Sequence, residues 1–238
     1  MRRVAVLVAA GLVVLAIGGL AGWRLRRPGV DARAYAEMRL VAVQVSLDEA
    51  PADYVFWGGD SQVELQPGSQ RPCGLDLVNG GVSGATAASY AQYLAGLTFK
   101  VHPRIAALTI GTNDILVKNN PQLTKPTEQF EAAAEEIIKR FQSLSPRVVV
   151  TALPPVGRQI GKFVDARAVT EYSERLRALC GRLGCTFADP FAALRDGDSG
   201  FAKPGALRDG LHLAAFRPAL RALEPALCRQ EPSREAVP

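Results

Sequence analysis

Histidine is nearly missing from this chain: 238 residues contain only His102 and His212. Cysteine is sparse too, with Cys73, Cys180, Cys185 and Cys228. Cys180 and Cys185 lack the second close pair or neighbouring histidine that a zinc site needs, so no metal or other cofactor is expected. An even number of cysteines permits two disulfides in any of three pairings. No basic run is interleaved with aromatics, so the formal charge of +5 does not read as a nucleic-acid surface. No internal repeat is visible, which sets repeat arrays aside.

Charge is also missing from Val4 to Trp23, a stretch with no charged or strongly polar side chain. About 20 such residues match the ~30 Å hydrocarbon core of a bilayer. The rival reading is a cleavable signal peptide, with Gly19-Leu20-Ala21 as a tolerable cleavage site, but its apolar core usually runs only about 7–15 residues. An uncleaved anchor over 1–30 is the expectation. Arg24, Arg26 and Arg27 follow it, suited to anionic lipid. By count that basic flank favours a cytoplasmic body, whereas exporting a domain is the usual work of an N-terminal anchor. Export is the expectation, with the body extracytoplasmic.

What remains is enough for one domain with a proper core. After a connecting helix over 31–52, short apolar runs alternate with amphipathic ones. "YVFWGG", "LDLVNGG", "RIAALTIG", "RVVVTALPP" and "CTFADP" read as strands. "AASYAQYLAGL" has helical spacing. "TEQFEAAAEEIIKRFQSL" reads as a helix capped by Thr127 and stopped by Pro146, and "VTEYSERLRALCGRLG" as another closed by Gly184. The segment from His212 to Arg229 reads as a last helix interrupted by Pro218 and Pro225, and 231–238 as a frayed tail. Such alternation implies a three-layer α/β/α sandwich around a mainly parallel, flavodoxin-like sheet. Ligands collect outside the carboxyl ends of such strands, and three of these strands end in glycine followed by small or polar residues.

Those ends read "GGDS" with Ser61, "NGGVSGAT" with Gly84 and "GTND" with Asn113; "RDGLHL" with Asp209 and His212 lies near the C-terminus. Together they supply a nucleophile, a base, an orienter for the base and donors for an oxyanion. With those four blocks in order, the chain resembles the SGNH hydrolase family, the GDSL esterases and lipases. The likeness runs from about Asp53 to Leu213, within a domain taken as 53–230. It implies Ser61 as nucleophile, His212 as general base and Asp209 as its orienter. It implies an oxyanion hole from the Ser61 and Gly84 backbone N–H groups and the Asn113 amide. It implies a serine ester hydrolase acting on a small-molecule, glycan or lipid acyl ester. Transfer of the acyl group to an envelope glycan, or a silent envelope binding protein, are the alternatives.

The plainer readings differ residue by residue. A lone serine before a helix is ordinarily an N-cap. His212 could be a surface histidine capped by Asp209. His102, before Pro103 at the far end of a strand, reads as structural or exposed. Asp60 and Asp114 read as braces of their own turns, Trp57 as core, and the glutamates of the long helix as a solvated face. Gln62 and Val63 depart from the family, where a small or β-branched residue and then a hydroxyl residue would follow the serine. The loop 154–169 is expected to shape the acyl or leaving-group pocket.

Overall fold

Five apolar runs become five parallel strands: β1 (Tyr54–Gly59), β2 (Asp76–Gly81), β3 (Ile105–Thr109), β4 (Val148–Thr151) and β5 (Thr186–Ala188). Their order is β2-β1-β3-β4-β5, the flavodoxin-like arrangement. The computed structural model describes residues 31–229. The chain divides into two units after Tyr35, and the sheet with the helical residues that cover it, from Ala36 onward, belongs to the second. The expected anchor over 1–30 and the tail 231–238 lie outside the described residues. Among the described residues, no helix is long and apolar enough to cross a membrane.

Both faces of the sheet are covered at its centre, which is why β1, β3 and β4 are buried at every position and read as apolar runs. Alternate side chains point opposite ways along a strand. Tyr54 and Phe56 therefore enter one core, and Val55 and Trp57 the other. The larger core packs α1 (Ala32–Asp48) through Ala36, Val43 and Leu47, together with three more helices. These are α3 (Ala87–Ala95), α4 (Thr124–Leu144) and α5 (Ala166–Leu183). Phe56 meets Phe99 and Phe141 edge-on at 5.0 and 5.7 Å, and truncating so buried a ring to alanine costs about 3–5 kcal/mol. The opposite core takes Val63 of the single-turn α2 (Ser61–Glu64), and Leu220, Leu223 and Leu227 of α6 (Arg217–Leu227).

Register decides where the loops emerge. Gly59 lies opposite both Gly81 and Thr109, so β1, β2 and β3 end level and deliver their following loops to one rim. Gly59 has φ +152°, and a Cβ there would lie 1.9 Å from the Thr109 carbonyl oxygen. Only glycine allows the strands to stay this close where the chain turns out of the sheet.

Several boundaries differ from the sequence reading. Thr127 is not the cap of α4: the helix starts at Thr124, and Thr127 Oγ1 instead donates to the Leu123 carbonyl at 2.8 Å. Pro126 sits in that first turn, where its missing N–H is no loss, so the helix begins ahead of the proline. The last helix does not reach back to His212. Residues before Arg217 form an irregular loop held by Arg208 N–H to His212 O and Ala214 N–H to Ala206 O, and Pro218 marks the start of α6. Helix α5 begins at Ala166, with the Asp165 carboxylate accepting the Arg167 N–H, and ends at Gly184 with φ 75°.

Of the three possible pairings, the chain adopts Cys73–Cys228 and Cys180–Cys185. The first ties the 3₁₀ turn Pro72–Gly74 to the end of α6, and the second closes the corner between α5 and β5.

Candidate active site

The turn after β1 is organised by Asp60, not by Ser61. Asp60 caps α2, its carboxylate accepting the Gln62 N–H at 2.9 Å, while the other oxygen accepts the Thr112 N–H at 3.0 Å. Ser61 is thereby relieved of the capping role a lone serine would take, and its Oγ is free for another partner. That partner is His212, whose Nε2 lies 2.9 Å away across 151 residues of sequence. On the far side of the ring, Nδ1 lies 2.7 Å from Asp209 Oδ2. The carboxylate keeps one tautomer in place: Nδ1–H donates to Asp209, leaving Nε2 to accept the serine hydroxyl proton.

Asp209 does two jobs in three residues. Its Oδ1 accepts the backbone N–H groups of Leu211 and His212 at 2.9 and 2.8 Å, folding the turn that brings the ring back to Oδ2. Desolvation pulls its pKa upward, but the hydrogen bonds from the His212 backbone, the His212 ring and the Leu211 N–H outweigh it and hold the carboxyl at about 2. It is therefore an anion throughout the range in which esters are turned over.

Gly84 and Asn113 sit on the two neighbouring loops. Gly84 has φ +81° with open space where a Cβ would stand, so its backbone conformation is what requires glycine. Asn113 Nδ2 donates to the Ala85 carbonyl at 2.9 Å, which joins the third loop to the second and spends only one of the two amide hydrogens. The backbone N–H groups of Ser61 and Gly84 donate to no protein acceptor among the described residues. Helix α2 is a single turn, too short to carry the dipole of a full helix, so these individual donors are what the turn offers to negative charge.

Polar groups lace the three loops together. The Glu64 carboxylate accepts the Ser83 N–H at 2.5 Å, next to Gly84. Asn79 Oδ1 accepts the Gly81 N–H and its Nδ2 donates to the Val63 carbonyl. Arg39 of α1 donates to the carbonyls of Gly81 and Asn79 at 2.8 and 2.7 Å. Asp60 braces its own turn as read from sequence, but it also spans to the third loop. Asp114 likewise bonds within its own turn, and it also reaches out to the Ala87 N–H at the start of α3. Burial raises the Asp60 pKa to about 6 against bonds from Gln62 and Thr112, and burial raises Asp114 to about 7 against its bond from Ala87.

His102 is exposed at the opposite end of β3, away from this cluster. Trp57 is core, donating through Nε1 to Thr109 Oγ1 at 3.1 Å. Sequence reasoning missed Arg39, Glu64 and Asn79. Asn79 opens the block "NGGVSGAT" and carried a signal; Glu64, three residues past Ser61, and Arg39, on a helix far away in sequence, carried none.

A parallel sheet with a serine, histidine and aspartate in one hydrogen-bonded line at its carboxyl edge has the make-up of an ester hydrolase. The GDSL-like Lipase/Acylhydrolase family matches residues 49–215, and this chain belongs to that family, whose members hydrolyse ester bonds. Among curated proteins nothing matches. Solved structures similar to it include a provisionally assigned platelet activating factor from Streptococcus pneumonia. That pair shares 20% identity and a TM-score of 0.67 over 90% of this chain and 99% of the other. A GDSL-like lipase from Bacteroides thetaiotaomicron is 16% identical, with a TM-score of 0.58 over 84% and 96%. A catalytic mutant of an acetylxylan esterase from Geobacillus stearothermophilus is also 16% identical, with a TM-score of 0.58 over 78% and 98%. At such identities the likeness is one of fold.

Proposed function

We propose that the protein is a serine acyl esterase in which Ser61 is the nucleophile, His212 the general base and Asp209 its orienter. The observation that carries this reading is the continuous line from Asp209 Oδ2 through His212 to Ser61 Oγ, at 2.7 and 2.9 Å. Ser61 Oγ attacks the ester carbonyl as its proton passes to His212 Nε2. The N–H groups of Ser61 and Gly84 and the free amide hydrogen of Asn113 receive the oxyanion, each worth about 3–4 kcal/mol in the transition state. The imidazolium, stabilised by Asp209, returns its proton to the departing alkoxide. The alcohol leaves, and Ser61 carries the acyl group. Water then repeats the cycle from the other side: His212 takes its proton, the acid leaves, and the serine is restored.

The substrate proposed is a short acyl or acetyl ester carried on a glycan or lipid of the envelope. The name of the Geobacillus neighbour supports an acetylated glycan, and the apolar stretch Val4–Trp23 supports an anchor that keeps the domain at a membrane. Two disulfides and no free cysteine among the described residues support an oxidising, extracytoplasmic location. The test is p-nitrophenyl acetate hydrolysis by the full chain beside Ser61→Ala, with fluorophosphonate labelling of both. Hydrolysis and labelling that vanish together in the variant support the reading. Turnover that survives in the variant, or acyl transfer to a glycan acceptor in preference to water, overturns it.

A further inference from the structure

Gln62 follows the nucleophile directly, is 2% exposed, and stands where the family pattern has a small or β-branched residue. Its Nε2 donates to the Leu211 carbonyl at 2.7 Å, across 149 residues of sequence. Leu211 adjoins His212, so this bond ties the turn of the serine to the turn of the histidine. Because a carbonyl can only accept, the bond also fixes which end of the amide is which: nitrogen toward Leu211, oxygen away from it. That oxygen is buried without a protein partner, and so is Gln66 Oε1 one turn further on.

Both glutamines line the same small cavity, with Trp57, Thr109, Leu213 and Phe216 around it. The space open to the centre of a water-sized sphere is ≈ 10 Å³, room for one water molecule. One water has two hydrogens, and the cavity offers two buried acceptors in need of them.

We infer that Gln62 is a positioning residue for the general base, clamping the Leu211 carbonyl so that His212 Nε2 stays on Ser61 Oγ, and that one buried water donating to Gln62 Oε1 and Gln66 Oε1 holds the clamp. This rests on the proposed roles of Ser61 and His212. Asp209 fixes the histidine within its own turn, whereas Gln62 fixes that turn against the serine. The two restraints are independent. Losing the second lets the base drift relative to the nucleophile, and displacements near 1 Å cost about 100-fold in rate.

The experiment compares the full chain with Gln62→Met, which keeps the length and removes the donor, and with Ser61→Ala. In Gln62→Met, kcat for p-nitrophenyl acetate should fall about 10- to 100-fold with KM within about twofold, because the oxyanion donors and pocket walls are untouched. A variant that melts earlier but keeps its kcat per folded molecule shows a packing residue only and overturns the clamp. Ser61→Ala separates the two layers: if it stays active, the reading of the site fails, and if it is dead while Gln62→Met is fully active, only the clamp fails. Should the methionine variant not fold, the native protein answers by NMR. The Gln62 side-chain amide hydrogen on Leu211 should exchange slowly, and faster in Gln66→Leu, where the water loses an acceptor. Exchange at the solvent rate in the native protein overturns the clamp, and exchange unchanged by Gln66→Leu overturns the shared water.

Discussion

Asp60→Asn is the substitution whose outcome the structure defines most sharply, because shape is kept while charge and one acceptor are lost. Each carboxylate oxygen accepts one backbone N–H, from Gln62 and from Thr112. An amide has a single oxygen, so in either orientation its NH₂ faces a buried N–H. Leaving that donor unpaired costs about 1–3 kcal/mol at any pH. Charge works in the opposite direction. Burial raises the pKa from 3.8 to about 6. The folded protein therefore holds the proton more tightly than the unfolded chain, and stability falls as pH rises through this window. At about 1.4 kcal/mol per tenfold change in proton affinity, that loss is about 3 kcal/mol. Asparagine escapes it. Urea unfolding followed by circular dichroism should find the variant about 1–3 kcal/mol weaker than wild type near pH 4. By about pH 8 the deficit should shrink by about 3 kcal/mol. Asp114, raised in part by the charge on Asp60, relaxes downward in the variant and pushes the same way. A deficit that stays constant between these two pH values would refute the reasoning, since it would mean that Asp60 is as easily ionised in the fold as in water.

Further outcomes are expected of the site and its frame. Ser61→Ala and His212→Ala should each abolish p-nitrophenyl acetate hydrolysis while circular dichroism stays unchanged, and Asp209→Asn should lower kcat by about two to four orders of magnitude, through the wrong tautomer of His212. His102→Ala should leave kcat and KM as they are; a loss equal to that of His212→Ala would overturn the choice of base. Opening Cys73–Cys228 by paired serine substitutions should cost about 2–5 kcal/mol in a thermal melt, and opening Cys180–Cys185 about 2 or less. The first closes a loop of 155 residues and the second one of 5. Equal losses from the two would contradict a loop-closure origin.

The alternation of strands and helices was legible because strands buried on both faces are largely apolar, as β1, β3 and β4 are, whereas β2 carries Asp76 and Asn79 and β5 is only partly covered. The site was legible where chemistry sits at a strand end: Ser61, Gly84 and Asn113 follow β1, β2 and β3, whose level ends follow from the register of Gly59 with Gly81 and Thr109. Local pattern failed where a residue serves a distant partner. Thr127 looks like a cap until the helix is seen to start at Thr124, and His212 looks helical until the loop before α6 is seen to be held by Asp209. Arg39 and Gln62 make contacts 42 and 149 residues away, and no periodicity reports such pairs.

The disulfide between Cys73 and Cys228 has a consequence for access to the site. Everything between those residues lies on a closed covalent ring that includes Gly84, Asn113, Asp209 and His212, while Ser61 stands just outside it. Helix α6 is the only regular element between His212 and the far anchor of the ring, and Arg147 also holds its last turn through the Leu227 carbonyl at 2.9 Å. If α6 peels from the sheet, its end still cannot diffuse away from the strands beside Ser61. The histidine is therefore kept at a high effective concentration beside the serine even while the helix is open, and the site re-forms by a short local return instead of a search by a free chain end.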